Sequence, residues 1–220
     1  LLPHVRWPGQ LEDVRDVIRW LKTNAERLKI DPTKVALLGF SAGAHLALLV
    51  AGTSNGSGHE HAFGDGEGTS VAAVISCFAP AILTADYTPH RPPPLDMLLE
   101  GGDDAKARTL SPLTYFHAAF PPTLLVHGDD DVAIPHAVTL RAYQALSEAG
   151  ARPELHIFRA QNHEFTALPS MTDAVVGEFA FFLQRVVVDP RHFADENLKM
   201  NMFAQPETLA ALMGQPKPAS

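Results

Sequence analysis

Four short, mostly apolar runs alternate with helical patterns along the chain, and this alternation most constrains its fold. The runs occupy residues 35–38, 71–78, 122–128 and 154–158. Apolar side chains recur at steps of three and four across residues 11–28, where Arg15 is expected among the residues of the polar face, and helices are also predicted over 44–51, 137–149 and 175–187. Buried strands alternating with helices are typical of a parallel sheet covered on both faces. We therefore expect an α/β fold with a mostly parallel sheet and helices on both faces.

Composition narrows the classes of function that such a fold could have. The 220 residues suit one domain, and a hydrophobic content of 46% is enough to build a core. The net charge of −8 argues against nucleic acid or an anionic membrane as the partner, since both require a basic surface. No apolar run approaches the roughly 18 residues of a membrane span. The chain begins with Leu-Leu-Pro and shows no signal-like segment, so no compartment is assigned.

Metal and redox chemistry find little support in the sequence. Cys77 is the only cysteine, which excludes an intrachain disulfide, and its apolar neighbours predict a buried thiol in a strand. His59 and His61 lack partners with metal-ligand spacing, and they are expected, like His90, to be solvated in polar loops. We therefore predict no metal and no cofactor.

Two long segments are predicted to lack regular strands. Residues 52–70 are rich in Gly and Ser, which is typical of a mobile loop. Residues 81–122 contain three consecutive prolines and no sustained period, so we expect loops and short helices over one end of the sheet. Residues 81–122, with a contribution from 52–70, are expected to shape any pocket.

The stretch Gly39-Phe40-Ser41-Ala42-Gly43 matches the pattern G-x-S-x-G, with a predicted buried strand before it and a predicted buried helix after it. This is the setting of a nucleophile elbow, in which both glycines let the strand and the helix approach without a Cβ clash and the serine hydroxyl projects from the carboxyl edge of the sheet. The Ala42 N–H at the helix start would then face a developing oxyanion. The alternative is a strand-to-helix turn in which Ser41 merely caps the helix.

A serine nucleophile requires a base, and the base requires an acid that orients it. Asp129, Asp130 and Asp131 follow the third predicted strand, and His163 follows the fourth. The carboxyl ends of parallel strands meet at one edge of a sheet, so these loops can converge on Ser41. The residues alone leave all three aspartates as candidates for the acid.

The other two histidines near these motifs are predicted to have structural rather than catalytic roles. His45 lies four residues after Ser41 on the outgoing helix, where it should pack or hydrogen-bond away from the hydroxyl. His127 ends the third predicted strand, and its ring is expected to brace the acid loop.

The chain resembles the esterase/lipase branch of the α/β-hydrolase superfamily, nearest to its acetyl-xylan/feruloyl esterase-like group. The resemblance rests on residues 7–49, on SPLTYF, on PPTLLVHGDDDVAIPHA and on ELHIFRAQNHEF, which occur in the family's order. In that family the acid is the fifth residue of an H-G-x-x-D pattern, so the resemblance implies Asp131 as the acid. It likewise implies His163 as the base.

This resemblance also implies parts that these residues do not contain. The family has about four strands and an H-G-G oxyanion loop before the first helix seen here. Ala44 also stands where the family usually has a glycine. We expect an N-terminally incomplete catalytic domain over residues 1–190, a C-terminal tail over 191–220, and an open apolar edge on the strand at 35–38. The missing parts would belong to a longer chain or come from a partner.

The expected function is hydrolysis of carboxylic esters by acyl transfer through Ser41, His163 and Asp131, with Ala42 as an oxyanion donor. A small-molecule ester is the expected partner, and homo-oligomerisation is left open. Two alternatives remain: a peptidase of the prolyl-oligopeptidase type, and a non-catalytic hydrolase-fold remnant that acts as a binding module. The acyl and alcohol groups of the ester are not predicted.

Overall fold

The structure is a computed structural model and describes residues 6–88 and 93–205, together with 208, 210, 212 and 213. The helices are α1 (Gly9–Thr23), α2 (Ala25–Leu28), α3 (Ala42–Gly52), α4 (Pro93–Leu99), α5 (Asp104–Leu110), α6 (Ala137–Glu148), α7 (Pro169–Leu183) and α8 (Pro190–Met200). The strands are β1 (Ala36–Phe40), β2 (Ala73–Cys77), β3 (Thr123–Gly128) and β4 (Glu154–Phe158). The expectations for His90 and for residues 214–220 lie outside the described residues.

The four strands form one sheet in the order β1-β2-β3-β4, and every neighbouring pair is parallel. All four carboxyl ends therefore lie at the same edge of the sheet. Short helices α4 and α5 occupy the segment between β2 and β3, as its composition predicted. The predicted α/β fold with a parallel sheet is confirmed.

The core lies against the central strands. Helix α3 packs on β1 and β2, and α6 packs on β3 and β4. Their apolar side chains form one buried cluster with Val74 and Leu125. Side chains on the opposite face of the same two strands, such as Ile75 and Val126, are also buried. The central strands are thus buried on both faces, which explains their almost continuous apolar sequence.

Strand β1 lies at one end of this sheet, and among the described residues it pairs with β2 alone. Leu38 is 50% exposed and Phe40 is 43% exposed, although both belong to an apolar strand. The open apolar edge predicted for this strand is therefore present in the structure.

Helix α1 departs from its predicted polarity at one residue. Arg15 was expected on the polar face, yet it is completely buried. Its guanidinium donates to Thr53 Oγ1 at 2.9 Å and to the Phe63 carbonyl oxygen at 2.7 Å, and it pairs with Glu12. Burial is tolerated because hydrogen bonds and one carboxylate compensate the charge. Arg15 therefore anchors the loop after α3 to α1.

The packing divides the chain into two compact units, Leu1–Val176 and Gly177–Ser220. The first unit contains the whole sheet. The second contains the end of α7, a π-helical turn over Gln184–Val188 and α8. The domain boundary expected at residue 190 stays a prediction.

Candidate active site

Ser41 occupies the sharp turn between β1 and α3. Its backbone has φ +50° and ψ −117°, a left-handed conformation that non-glycine residues rarely adopt and that costs about 1–3 kcal/mol. The residue stands at the N-cap of α3, but its side chain makes no capping hydrogen bond. Its Oγ lies 2.9 Å from Nε2 of His163 instead. The capping role considered from the sequence is therefore not the one observed.

The two glycines of the motif differ in the space that a side chain would have at each position. A Cβ on Gly39 would lie 2.4 Å from the Gly43 carbonyl oxygen and 2.5 Å from the Ala44 nitrogen. Only glycine therefore allows β1 and the start of α3 to approach so closely. A Cβ on Gly43 would meet no atom within 4 Å, so the expected steric role is wrong for the second glycine.

Asp131 faces His163 from the loop after β3, and its carboxylate has a full set of donors. Its Oδ2 lies 2.7 Å from His163 Nδ1 and 3.0 Å from His127 Nε2. Its Oδ1 accepts the backbone N–H groups of Ala133 and Ile134 at 2.8 and 2.9 Å. A carboxylate offers about four lone-pair directions, and four N–H groups occupy them here.

These donors decide the charge of Asp131, whose side chain is inaccessible to solvent. Burial alone raises the pKa of this carboxyl, but the hydrogen bonds from His127 and His163 and from the Ile134 N–H outweigh it. The net effect holds the pKa of Asp131 well below its usual range. The group is therefore an anion that can orient an imidazole and stabilise its protonated form.

The two neighbouring aspartates form hydrogen bonds between loops rather than with His163. Asp129 accepts the Ala160 N–H through its side chain, and the Asp130 N–H donates to the Gln161 carbonyl at 3.0 Å. Both contacts join the loop after β3 to the loop after β4. Of the three candidate acids, only Asp131 is placed beside His163.

Asn162 lies beside His163 at the candidate site and was not predicted from the sequence. Its side-chain oxygen accepts the Val132 N–H at 3.2 Å and the His163 N–H at 2.7 Å. One amide thereby connects the loop after β3 to the loop after β4. Its position directly before His163 was the only available signal, and an asparagine in a loop is too common to stand out.

Phe78 was also not predicted from the sequence, and it lies against His163. It follows the last residue of β2 with φ +42° and is 1% exposed. Its ring centroid lies 4.8 Å from that of His163, in an edge-on arrangement. The imidazole is thus held by an aromatic wall, by Asp131 and by Ser41.

Ala42 is the first residue of α3, and the first intrahelical bond runs from the His45 N–H to the Ser41 carbonyl. The N–H groups before His45, that of Ala42 included, belong to the helix end that has no intrahelical acceptors. This end carries the positive part of the helix dipole and suits a developing negative charge. The position agrees with the predicted oxyanion donor.

His45 and Cys77 are buried structural groups. His45 Nε2 lies 2.9 Å from the Leu110 carbonyl oxygen, and burial lowers the pKa of His45 to about 4 despite this bond. Burial raises the pKa of the Cys77 thiol to about 12. Both predictions from sequence, a hydrogen-bonded histidine and a packed thiol, are confirmed.

The described residues contain neither a metal-ligand cluster nor a membrane-spanning helix. His59 and His61 are exposed in the loop after α3. No group of three or more His, Cys, Asp or Glu side chains among the described residues could hold a metal ion. No helix in this part of the chain is both long and apolar enough to cross a bilayer.

Residues 53–72 connect α3 to β2. Helix α3 starts at the carboxyl edge of the sheet and returns the chain to the amino edge, where β2 begins. The loop then extends to the segment after β2, because Phe63 packs edge-on against Trp7, with ring centroids 5.1 Å apart, and against the buried cluster that includes Leu83 and Leu110. The contribution to a pocket expected of residues 52–70 stays a prediction.

Comparison with known proteins agrees with this architecture. The family profile and the similar esterases, together with the parallel sheet, identify an α/β-hydrolase of the esterase branch. The sequence profile of the BD-FAE family matches residues 1–146, and the chain belongs to that family.

Several relatives and solved structures are similar to the chain. Esterase LipC of Mycobacterium tuberculosis is 28% identical over 88% of this chain, and esterase LipQ of the same organism is 30% identical over 68%. The acetyl ester-xyloside bifunctional hydrolase of Caldicellulosiruptor lactoaceticus is 27% identical, with a TM-score of 0.65 over 81% of this chain and 67% of that one. The chain spans 50% of LipC and 37% of LipQ, about half or less of these curated relatives.

Proposed function

We propose that the chain is the catalytic part of a serine hydrolase that cleaves carboxylic esters by acyl transfer. Ser41 is the nucleophile, His163 the general base, Asp131 the orienting acid and the Ala42 N–H an oxyanion donor. The observation that carries the proposal is the pair of short contacts made by His163, 2.9 Å to Ser41 Oγ and 2.7 Å to Asp131 Oδ2. These distances are those required of a nucleophile, a base and an orienting acid.

The reaction follows from this arrangement in two halves. His163 Nε2 takes the proton of Ser41 as Oγ bonds to the ester carbonyl carbon, and the Ala42 N–H stabilises the resulting oxyanion. The tetrahedral species collapses, the C–O bond to the alcohol breaks, and His163 returns its proton to the leaving oxygen. Water then attacks the acyl-serine by the same route and releases the acid. Asp131 stays ionised throughout and holds the imidazolium.

Two further observations support an ester as the substrate. Curated relatives carry the name esterase, and a similar solved structure is named an acetyl ester-xyloside hydrolase. The geometry supports acyl transfer, and the names of the relatives favour an ester over an amide. Short-chain esters are therefore the first substrates to assay.

Labelling with a fluorophosphonate probe tests the nucleophile directly. We expect the wild-type chain to be labelled and Ser41→Ala to remain unlabelled, while Ser147→Ala, which removes an exposed hydroxyl on α6, is labelled like the wild type. Asp131→Asn should fold yet lose about 10⁴ in turnover, because the imidazole loses its orienting anion. If folded wild-type protein is not labelled, the non-catalytic alternative replaces this proposal.

A comparison of leaving groups tests the reaction class. Hydrolysis of aryl esters and of aminoacyl amides that share one acyl group can be measured on the same preparation. We expect the ester to be cleaved much faster. Faster amide cleavage would instead favour the peptidase alternative.

A further inference from the structure

We infer that His127 is a positioning residue for the acid, and that Thr139 holds His127 in the tautomer this role requires. The inference rests on the proposed function, because it assigns a role to groups behind Asp131. It extends the site from three side chains to five, in the order Thr139, His127, Asp131, His163 and Ser41.

His127 is the fifth residue of β3 and is completely buried. Its Nε2 lies 3.0 Å from Asp131 Oδ2 and 2.9 Å from the carbonyl oxygen of Ile134. Both of these oxygens only accept hydrogen bonds when the carboxyl is ionised. Nε2 must therefore carry a proton, and this proton is shared between the acid and the backbone of its own loop.

The second ring nitrogen is held by another element. His127 Nδ1 lies 2.6 Å from Oγ1 of Thr139, which is 3% exposed on α6. In a neutral imidazole with a proton on Nε2, Nδ1 is an acceptor, so the Thr139 hydroxyl donates to it. A hydroxyl on α6 thus keeps the Nε2 proton of His127 directed at Asp131.

The consequence for Asp131 is a carboxylate without rotational freedom. Two backbone N–H groups hold Oδ1, and two imidazoles, those of His127 and His163, converge on Oδ2. Without the N–H of His127, Oδ2 would lose one of its two fixed donors and the plane of the carboxylate could turn. His163 would then be oriented less well, although His127 itself is buried and would not touch the ester.

Kinetics separate this role from a general loss of folding. We expect Thr139→Val, which replaces the hydroxyl by a methyl of similar size, to lower kcat about 10-fold and to leave KM unchanged, because only the orientation of the reacting groups is affected. Thr139→Ser keeps the hydroxyl and should retain wild-type kcat. His127→Leu should lower kcat about 100-fold, the scale of a misplaced reacting group, and His127→Gln, whose amide keeps a donor, should recover part of that loss. Unchanged kcat in both Thr139→Val and His127→Leu would overturn the inference.

Nuclear magnetic resonance of the ring nitrogens tests the inference without turnover. Long-range ¹H–¹⁵N spectra should show His127 protonated on Nε2 in the wild type. The Nδ1 proton of His163 should be protected in the wild type and in Thr139→Ser, and should exchange faster in Thr139→Val and His127→Leu. If the Nδ1 proton of His163 is equally protected in the wild type and in all three variants, the positioning role of His127 is refuted. Failure of the wild type to react with a fluorophosphonate refutes the proposed function instead, and the spectra still decide the role of His127.

Discussion

The imidazole of His163 packs edge-on against the ring of Phe78, with ring centroids 4.8 Å apart and ring planes at 60°. Phe78 is 1% exposed, and its backbone holds φ +42°, which is unfavourable for a bulky side chain. The chain therefore tolerates local strain at the end of β2 and places an aromatic wall beside the proposed base. This wall and Asp131 confine the imidazole from two directions.

Replacing Phe78 by leucine should reduce turnover about 10-fold, because His163 loses the surface that limits its rotation. Phe165→Leu is the matched control: Phe165 is equally buried and its ring packs near Phe78, 6.0 Å between centroids. Both variants should lose about 1–3 kcal/mol of unfolding free energy. Ester hydrolysis and urea denaturation measure the two effects, and equal kcat values in the two variants would contradict the assigned role.

Gly39→Ala should prevent the turn at Ser41 from forming, because the added methyl would lie 2.4 Å from the Gly43 carbonyl oxygen. We expect a large fall in melting temperature and no fluorophosphonate labelling of any folded fraction. Gly43→Ala is the control, since its methyl meets no atom within 4 Å and alanine favours a helix by up to about 1 kcal/mol. A Gly43→Ala variant less stable than Gly39→Ala would refute this account of the motif.

Arg15→Met should cost about 2–4 kcal/mol of unfolding free energy, because it leaves the buried Thr53 hydroxyl and the Phe63 carbonyl without their donor. Arg19→Met removes a more exposed guanidinium from the same helix, 28% accessible at its side chain, and should cost less than about 1 kcal/mol. Urea denaturation measures both values. The rate of fluorophosphonate labelling should stay at the wild-type level in both folded variants, since the two guanidinium groups bind residues of α1 and of the loop after α3.

Protein stability should depend on pH through His45, whose pKa burial lowers from 6.5 to about 4 in the folded state. The unfolded chain binds the proton more readily, so this contribution is complete above pH 6.5 and is lost as the pH falls towards 4. His45→Gln keeps a donor for the Leu110 carbonyl but does not titrate. The stability of the wild type relative to His45→Gln should fall by about 2 kcal/mol between about pH 7.5 and about pH 5. Urea denaturation at both pH values checks this, and a constant difference would exclude His45 as the source.

The strands were predictable from sequence because burial on both faces leaves an uninterrupted apolar run. The ends of the strands were less predictable. The strand expected at residues 35–38 continues to Phe40, which belongs to the G-x-S-x-G motif. Arg15 could not be predicted correctly, because the residue that explains its burial, Thr53, lies 38 positions away. The spacing of apolar residues shows which face of a helix packs on the core. It does not identify a residue distant in sequence whose hydrogen bonds compensate a buried charge.

The candidate site likewise contains residues that could be predicted from the sequence and residues that could not. Ser41 and His163 follow from the positions of strand ends, which any parallel sheet brings together. Asp131 was selected over Asp129 and Asp130 by family resemblance, and its contact with His163 agrees with that choice. Asn162 and Phe78 were missed because their roles arise from packing between loops that follow different strands.

The return of α3 from one edge of the sheet to the other has a practical consequence for protein engineering. Gly56 and Gly58 lie in the loop that follows α3, and a side chain at either position would meet no atom within 4 Å. A fluorophore or an affinity tag attached at this loop would leave the four strands and the turn at Ser41 unaltered. Libraries that test the proposed ester preference should instead randomise residues 81–122, because the chain leaves the sheet beside Ser41, whose N–H donates to the carbonyl of Cys77 at the end of β2.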